Sequence, residues 1–382
     1  MRRTIKVVHV AETTRGGIAS YLRDLIPLQV KEYGAERIVV IVPEDHVSDL
    51  RLPDGVQSLT FSSSYRNIFF RFFNSIKAAF LTMKLLDLHK VENIHLHSSF
   101  AGLAVRIAII GRNRTQKIIY CPHGWAFLRK SRLEPLEIWV ERQLDRFTDH
   151  IVCVSKHEQH IGLKAGIREE LLVLIPNGIS TQAPAPLSIA SPWPEDNRLK
   201  LLFIGRFDRQ KGIDILLDIV RNLQEKVFLC AAGSCIVGKQ FLKQPPDNVV
   251  LLDWQKPESV SMLLNQCDAL VMPSRWEGMP ITALEAMRAG KAVIGSDIPG
   301  LNEVIVNGFN GRLIPVHDND AWTSYLTDLT PRLCQEMGQN GRLLFDQKFD
   351  IVRTHCALVE LYESSAEKMN TRTRTIKDRG SL

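Results

Sequence analysis

Between residues 271 and 290 the chain reads Val-Met-Pro-Ser-Arg-Trp-Glu-Gly-Met-Pro-Ile-Thr-Ala-Leu-Glu-Ala-Met-Arg-Ala-Gly, a strand that runs into a glycine–proline turn and then into a helix. One carboxylate, Glu277, stands in the turn. A second, Glu285, lies in the helix's second turn among Leu284, Ala286 and Met287, apolar company unusual for an acid that merely decorates a surface. Gly278, Met279 and Pro280 lead into the helix start, where unpaired backbone N–H groups and the positive end of the helix dipole suit a phosphate or a sugar hydroxyl. For two arbitrary glutamates, surface charge or helix capping is the ordinary explanation, and the glycine turn and apolar setting argue against it.

Three other segments have related chemistry. Residues 201–212, Leu-Leu-Phe-Ile-Gly-Arg-Phe-Asp-Arg-Gln-Lys-Gly, place Arg206 and Lys211 five residues apart between a strand end and a helix, a fork and a point charge able to meet on one phosphate. Isolated basic residues are more often simply solvated. After the first strand, Gly16 and Gly17 allow close backbone approach to a ligand at a helix start, or serve only a tight strand-to-helix turn. His123, in Tyr-Cys-Pro-His-Gly-Trp-Ala-Phe over residues 120–127, also follows a candidate strand, with packing in a turn as its competing explanation.

The elements that must position these residues alternate along nearly the whole chain. Candidate strands fall at 5–10, 37–42, 93–97, 117–121, 150–154 and 171–175, with helical spacing at 18–30, 68–88, 133–147 and 156–165. Residues 180–197 carry four prolines and no periodicity, which marks a linker. Strands resume at 200–204, 227–231, 249–252, 269–272, 292–295 and 311–314. This is an α/β pattern of two doubly wound Rossmann-like domains facing a cleft, with ligands at the strands' carboxyl ends. The division expected is 1–179, a linker at 180–198, and 199–349, with a closing segment 350–382 returning to the first domain.

Composition excludes several classes. A length of 382 residues, 45% hydrophobic and 24% charged, describes a globular chain with room for two cores rather than a small module or a disordered tract. Seven scattered cysteines without a Cys-x-x-Cys pair indicate reduced thiols in a cytosolic setting and no zinc site. The opening residues are too short and strand-like for a signal peptide, and no window is apolar enough to span a membrane. The net charge of +6 is unevenly placed: residues 1–190 hold 25 Lys/Arg against 18 Asp/Glu, residues 191–367 hold 18 against 23, and the last fifteen hold five against one. That excess is too small, and lacks the modules, for a nucleic-acid-binding protein.

Taken in order, Arg206 and Lys211, the Glu277-x7-Glu285 pair, residues 291–300 (Lys-Ala-Val-Ile-Gly-Ser-Asp-Ile-Pro-Gly) and residues 307–315 (Asn-Gly-Phe-Asn-Gly-Arg-Leu-Ile-Pro) resemble the retaining nucleotide-sugar glycosyltransferases of family 4, which have the GT-B fold. The resemblance covers essentially the whole chain. It implies that Arg206 and Lys211 hold the donor diphosphate, Glu285 the ribose hydroxyls, and Glu277 with the backbone of Gly278 and Met279 the transferred sugar. Gly17 then approaches the diphosphate from the other domain, and His123 stands beside the reacting sugar. No cofactor beyond the nucleotide sugar is implied and, without an Asp-x-Asp motif, no metal. Ser180, Cys235 and Asp253 depart from the pattern at positions where Asp, Gly and Gly are common, which leaves the base that is read undetermined. Epimerase motifs are missing and a phosphorylase needs a longer chain. A catalytically silent partner subunit would not need all five of Arg206, Lys211, Glu277, Glu285 and His123.

The acceptor side has two aromatic and basic features. Residues 64–84 place five phenylalanines among four basic residues at near-helical spacing, which suits either a helix on an anionic membrane, aromatic side down, or a helix burying those rings in the first core. Arg129, Lys130 and Arg132 add a cluster beyond the His123 loop. A lipid-linked pyrophosphate sugar explains both, as does a soluble anionic or glycan acceptor. The 121–127 stretch is similar to that of bacterial surface-polysaccharide transferases, which favours the lipid-linked acceptor and a site on the inner face of the plasma membrane.

Overall fold

In the computed structural model the described residues are 3–364, apart from 15, 64–67, 114, 130–131, 186–189 and 236–243. Lys130, part of the proline-rich linker and the basic tail 368–382 lie outside them.

The first half contains β1 (Thr4–Ala11), α1 (Gly17–Tyr33), β2 (Ile38–Pro43), α2 (Val47–Leu50), β3 (Gln57–Phe61), α3 (Ile68–Leu88), β4 (Lys90–His97), α4 (Ser99–Ala108), β5 (Lys117–Cys121), α5 (Glu134–Leu144), β6 (His150–Cys153), α6 (Lys156–Lys164) and β7 (Leu172–Leu174). The second contains β8 (Leu199–Ile204), α7 (Ile213–Val220), β9 (Val227–Ala232), β10 (Val249–Leu252), α8 (Pro257–Gln266), β11 (Ala269–Met272), α9 (Ile281–Arg288), β12 (Ala292–Ser296), β13 (Gly311–Ile314), α10 (Asn319–Asp328), α11 (Pro331–Lys348) and α12 (Ile351–Glu363). The short β3 has no counterpart among the expected strands: its side chains alternate between exposed and sheltered at the sheet's edge, too brief a pattern to stand out.

Both sheets are parallel. Their orders are β3-β2-β1-β4-β5-β6-β7 and β10-β9-β8-β11-β12-β13, so the chain reverses direction of growth between β1 and β4 and again between β8 and β11. Loops after those four strands open into the two crevices where such sheets bind ligands. Strands buried on both faces read as continuous apolar runs, as β2 does from Ile38 to Pro43. Helix α12 crosses back and packs on α1, burying Leu358, Leu361 and Tyr362.

Helix α3 reverses the usual amphipathic arrangement. Its buried side consists of Leu85 and of Asn74, Ser75, Ala78, Ala79 and Thr82, five small or polar residues that let it sit close against α4, while Phe72, Phe73, Ile76 and Phe80 face outward. Core burial of the described aromatics is therefore not what the fold does with them, and Phe80 remains 66% exposed.

Gly212 starts α7 with φ +70, a left-handed conformation open to glycine, and a Cβ there would collide with the Pro273 carbonyl oxygen. It locks the β8–α7 loop against the β11–α9 loop. Gly212→Ala is expected to lower stability by about 2–3 kcal/mol, read as an earlier urea midpoint with unchanged slope.

Candidate active site

The loop after β11 is built around one buried carboxylate. Glu277, 6% exposed, accepts hydrogen bonds at Oε1 from Lys211 Nζ at 2.6 Å and from Ser274 Oγ at 2.7 Å. The loop after β8 holds the lysine in place: the Lys211 N–H donates to Asp208 Oδ1 at 3.0 Å, and Gln210 Nε2 donates to the Trp276 carbonyl at 3.1 Å. Arg206 points along its own loop, donating to Gln210 Oε1 at 2.5 Å and lying 3.0 Å from Asp208 Oδ2. The two cations thus share a loop but not one partner: Lys211 rests on Glu277, and Arg206 on the neutral and acidic side chains beside it.

Four approaches close the crevice from the first sheet. Gly17 opens α1 directly over the start of α9, where a Cβ would sit 3.3 Å from Ile281 Cγ1, and Gly16, at φ +76, faces the Trp254 ring. Gly278 lies against the Gly124 N–H and the Glu158 carboxylate. Asn177 Nδ2 donates to the Met279 carbonyl at 3.0 Å, immediately before Pro280, the N-cap residue of α9. Glu303 reaches across to the first residues of α6, accepting from the backbone N–H groups of Lys156 at 2.8 Å and His157 at 2.9 Å, where a carboxylate also meets the positive end of the helix dipole.

Glu285 turns toward α1. It accepts from Ser20, and burial pushes its carboxyl up while Arg288 and Arg23 pull it back. Glu158 is fully buried: its Oε2 accepts from the Val154 N–H at 2.9 Å, and burial raises it to about 7.

His123 follows β5 in a left-handed conformation, φ +50, that a histidine adopts at a cost of about 1–3 kcal/mol. Its ring lies 5.3 Å from that of His97 in a stacked arrangement, with Nε2 3.0 Å from His97 Nδ1, and the edge of Tyr21 packs on it. Behind it, His97 Nε2 is 3.0 Å from His9 Nδ1, and His9 Nε2 is 2.7 Å from Gln29 Oε1. His95 Nδ1 meets the Tyr362 hydroxyl at 2.7 Å. Burial lowers His9 and His123 to about 4 and holds His95 and His97 well below the usual imidazole value.

Residues that sequence reasoning singled out therefore gather around one cleft: Gly16, Gly17, His123, Arg206, Lys211, Glu277, Gly278, Met279, Pro280 and Glu285. Those it missed are Glu158, Asn177, Ser274, Glu303 and the buried imidazoles. A usable signal existed for the last group, since His95 and His97 alternate on one strand face. His9 needed the β1–β4 register, in which His9 pairs with His95. His9, His95 and His97 bring ring nitrogens within 4.8 Å of one another, but four of those six nitrogens already have hydrogen-bond partners among the four rings and Gln29, and a fifth meets Tyr362. The set is a hydrogen-bonded network first.

Known proteins share this architecture. Residues 15–183 match the model of Glycosyltransferase Family 4, and residues 189–344 that of Glycosyl transferases group 1. A Klebsiella pneumoniae protein described as an uncharacterized 41.2 kDa protein in the cps region is 30% identical over 94% of this chain and all of its own length. The Escherichia coli UDP-Gal:alpha-D-GlcNAc-diphosphoundecaprenol alpha-1,3-galactosyltransferase is 26% identical over 81% of this chain and 84% of its own. Among solved structures, Anabaena HepE in complex with UDP and glucose superposes with a TM-score of 0.77 at 19% identity, covering 94% of this chain and all of that one. Two parallel Rossmann-like sheets around such a cleft are the GT-B fold. The chain belongs to the glycosyltransferases that these two family models together describe.

An imidazole held neutral in the fold, yet free to protonate when unfolded, makes the unfolded chain bind more protons below pH of about 6.5. The stability this contributes is complete above that value and is lost as pH falls toward 4. Glu158 and Glu285, both raised, work in the opposite sense. His97→Gln removes one such imidazole and leaves the acids in place. Its unfolding free energy, from urea titrations between about pH 4.5 and 6, is expected to fall less steeply on acidification, by up to about 1.4 kcal/mol per pH unit.

Proposed function

We propose that the protein is a retaining, metal-independent glycosyltransferase that moves a hexose-type sugar from a nucleotide-diphosphate donor to a lipid-linked saccharide in the assembly of a bacterial surface polysaccharide. The observation that carries this reading is the convergence of Lys211, Glu277 and the start of α9 beneath Gly17, with His123 on the opposite wall. A sugar–phosphate bond breaks toward an oxocarbenium-like carbon and a diphosphate anion. Lys211, Arg206 and the α9 backbone face the anion; Glu277 and the Gly278–Met279 backbone face the sugar; Glu285, turned toward α1, takes the ribose hydroxyls. In a closed cleft these groups act without competing water.

For retention, the acceptor hydroxyl oxygen bonds to the anomeric carbon on the face the phosphate leaves, and its proton passes to the departing phosphate oxygen. His123, lowered to about 4, serves better as a neutral hydrogen-bonding group than as a base. The relatives favour this acceptor class: one is described as belonging to a cps region, and another names a diphosphoundecaprenol-linked acceptor.

Helix α3 supports work at the inner face of the plasma membrane. Among the described residues no helix is long and apolar enough to cross a bilayer. The outward Phe72, Phe73 and Phe80 lie on the same side of the first sheet as α4 and α5, where Ile107, Leu136 and Trp139 are also exposed. Aromatics on a surface of a net-basic half fit an anionic interface.

Glu285→Ala and Lys211→Ala are each expected to cut kcat/KM for nucleoside diphosphate release by about 10²-fold or more with the fold intact by circular dichroism, in a screen of UDP-, GDP- and ADP-sugars with membrane extract supplied, and Lys211→Ala also to melt earlier because Glu277 stays buried without its ammonium. Unchanged turnover would overturn the assignment. Replacing Phe72, Phe73 and Phe80 together by Ser is expected to weaken flotation with anionic liposomes by about 10²-fold while leaving donor hydrolysis intact. Flotation insensitive to both the variant and salt would exclude the membrane surface.

A further inference from the structure

The imidazoles behind His123 do more than fill space, because a chain of neutral imidazoles has a direction. Each ring carries one N–H and one lone pair, so every contact along the chain must place an N–H against a lone pair. The chain starts at Gln29, whose amide donates through Nε2 to the Tyr362 hydroxyl at 3.3 Å and so turns Oε1 toward His9. A carbonyl oxygen only accepts, so His9 carries its proton on Nε2 and offers Nδ1 as a lone pair. His97 must then donate from Nε2 to His9 and leave Nδ1 bare. His123 in turn donates from Nε2 to His97. At the far end its Nδ1 is left deprotonated, and that atom has no partner among the described residues.

We propose that Gln29, His9 and His97 form a tautomer relay that fixes His123 with its proton on Nε2 and presents Nδ1 to the cleft as a hydrogen-bond acceptor for a hydroxyl of the donor sugar. The inference rests on the placement of His123 beside that sugar proposed above. His9 and His97 are positioning residues: neither reaches the cleft, and both are fully buried. Inverting His123 alone would put two N–H groups or two lone pairs face to face at 3.0 Å, so its tautomer can change only if the whole chain and the Gln29 amide invert together. Tyr362 favours this direction by receiving the Gln29 N–H at 3.3 Å, its hydroxyl being held 2.7 Å from His95 Nδ1. A residue of the closing helix α12 thereby sets which atom the cleft exposes some way off. All three rings of the relay being held neutral by burial is consistent with it, since a cation anywhere in it would erase the direction.

The test is imidazole nitrogen NMR on the intact protein labelled with 15N-histidine, without donor, with the His123 signals assigned by their loss in His123→Gln. The expected result is a single His123 tautomer, protonated at Nε2 and bare at Nδ1, and a mixture of tautomers in Gln29→Leu. With that mixture goes a rise of about tenfold in donor KM, the equivalent of one hydrogen bond, at little change in kcat. A His123 protonated at Nδ1 in the wild type would overturn the relay, as would an unchanged tautomer in Gln29→Leu. Equimolar Zn²⁺ shifting the His9, His95 and His97 signals together would also overturn it, by making those rings ligands. Should Gln29→Leu fail to fold, the wild-type tautomer still decides the direction. The expected tautomer with unchanged donor KM in His123→Gln would overturn the sugar contact and leave the relay supported.

Discussion

A lysine resting on a buried glutamate is the contact on which the cleft depends. Lys211 comes from the loop after β8 and Glu277 from the loop after β11, strands that lie side by side at the point where the second sheet reverses its order. Taken alone, Glu277 would be a poorly solvated charge in a buried turn. The ammonium and the Ser274 hydroxyl supply its compensation, and removing one partner of such a pair is costly because the other charge stays behind. Under the proposed function, an arriving diphosphate enters a site whose cation is already engaged, and it draws on Lys211 only as sugar hydroxyls take over part of Glu277. In that proposal, anion and sugar binding are tied together through one carboxylate oxygen.

Around that contact the two halves meet closely, with backbone on at least one side of each approach. Gly17 over Ile281, Gly278 against Gly124, and Asn177 on the Met279 carbonyl are approaches that larger side chains would block. This is why the glycines, rather than the charged groups, set how tightly the halves close.

Much of this architecture is legible in the order of residues alone. Strand runs in a buried parallel sheet are continuous and β-branched, so 117–121, 249–252, 269–272 and 311–314 fall where the strands are. The donor-side residues are legible because a glycine turn between strand and helix is local, and its carboxylates sit within eight residues of each other. The rest depends on register and on contacts between distant segments. His9 and His97 join only through the pairing of β1 with β4, Glu303 meets α6 across 146 residues, and Tyr362 reaches Gln29 across 333. Helix α3 is ambiguous for a different reason. Its composition is apolar on nearly every side, and which side is covered depends on how closely α4 can approach, a matter of the small residues rather than the large ones.

Glu303 gives the cleft a further property. Its carboxylate belongs to the second sheet's half, yet it completes the first turn of α6 in the other by accepting two of the helix's unpaired N–H groups. Pulling the halves apart exposes two amides and one carboxylate in the same movement, and each must find water before the gap widens further. Hydrogen bonds to a charged group contribute about 1.5–3 kcal/mol each. This clasp stands apart from Lys211 and Glu277, so how firmly the halves hold together and the chemistry proposed for the cleft can be tuned by separate residues.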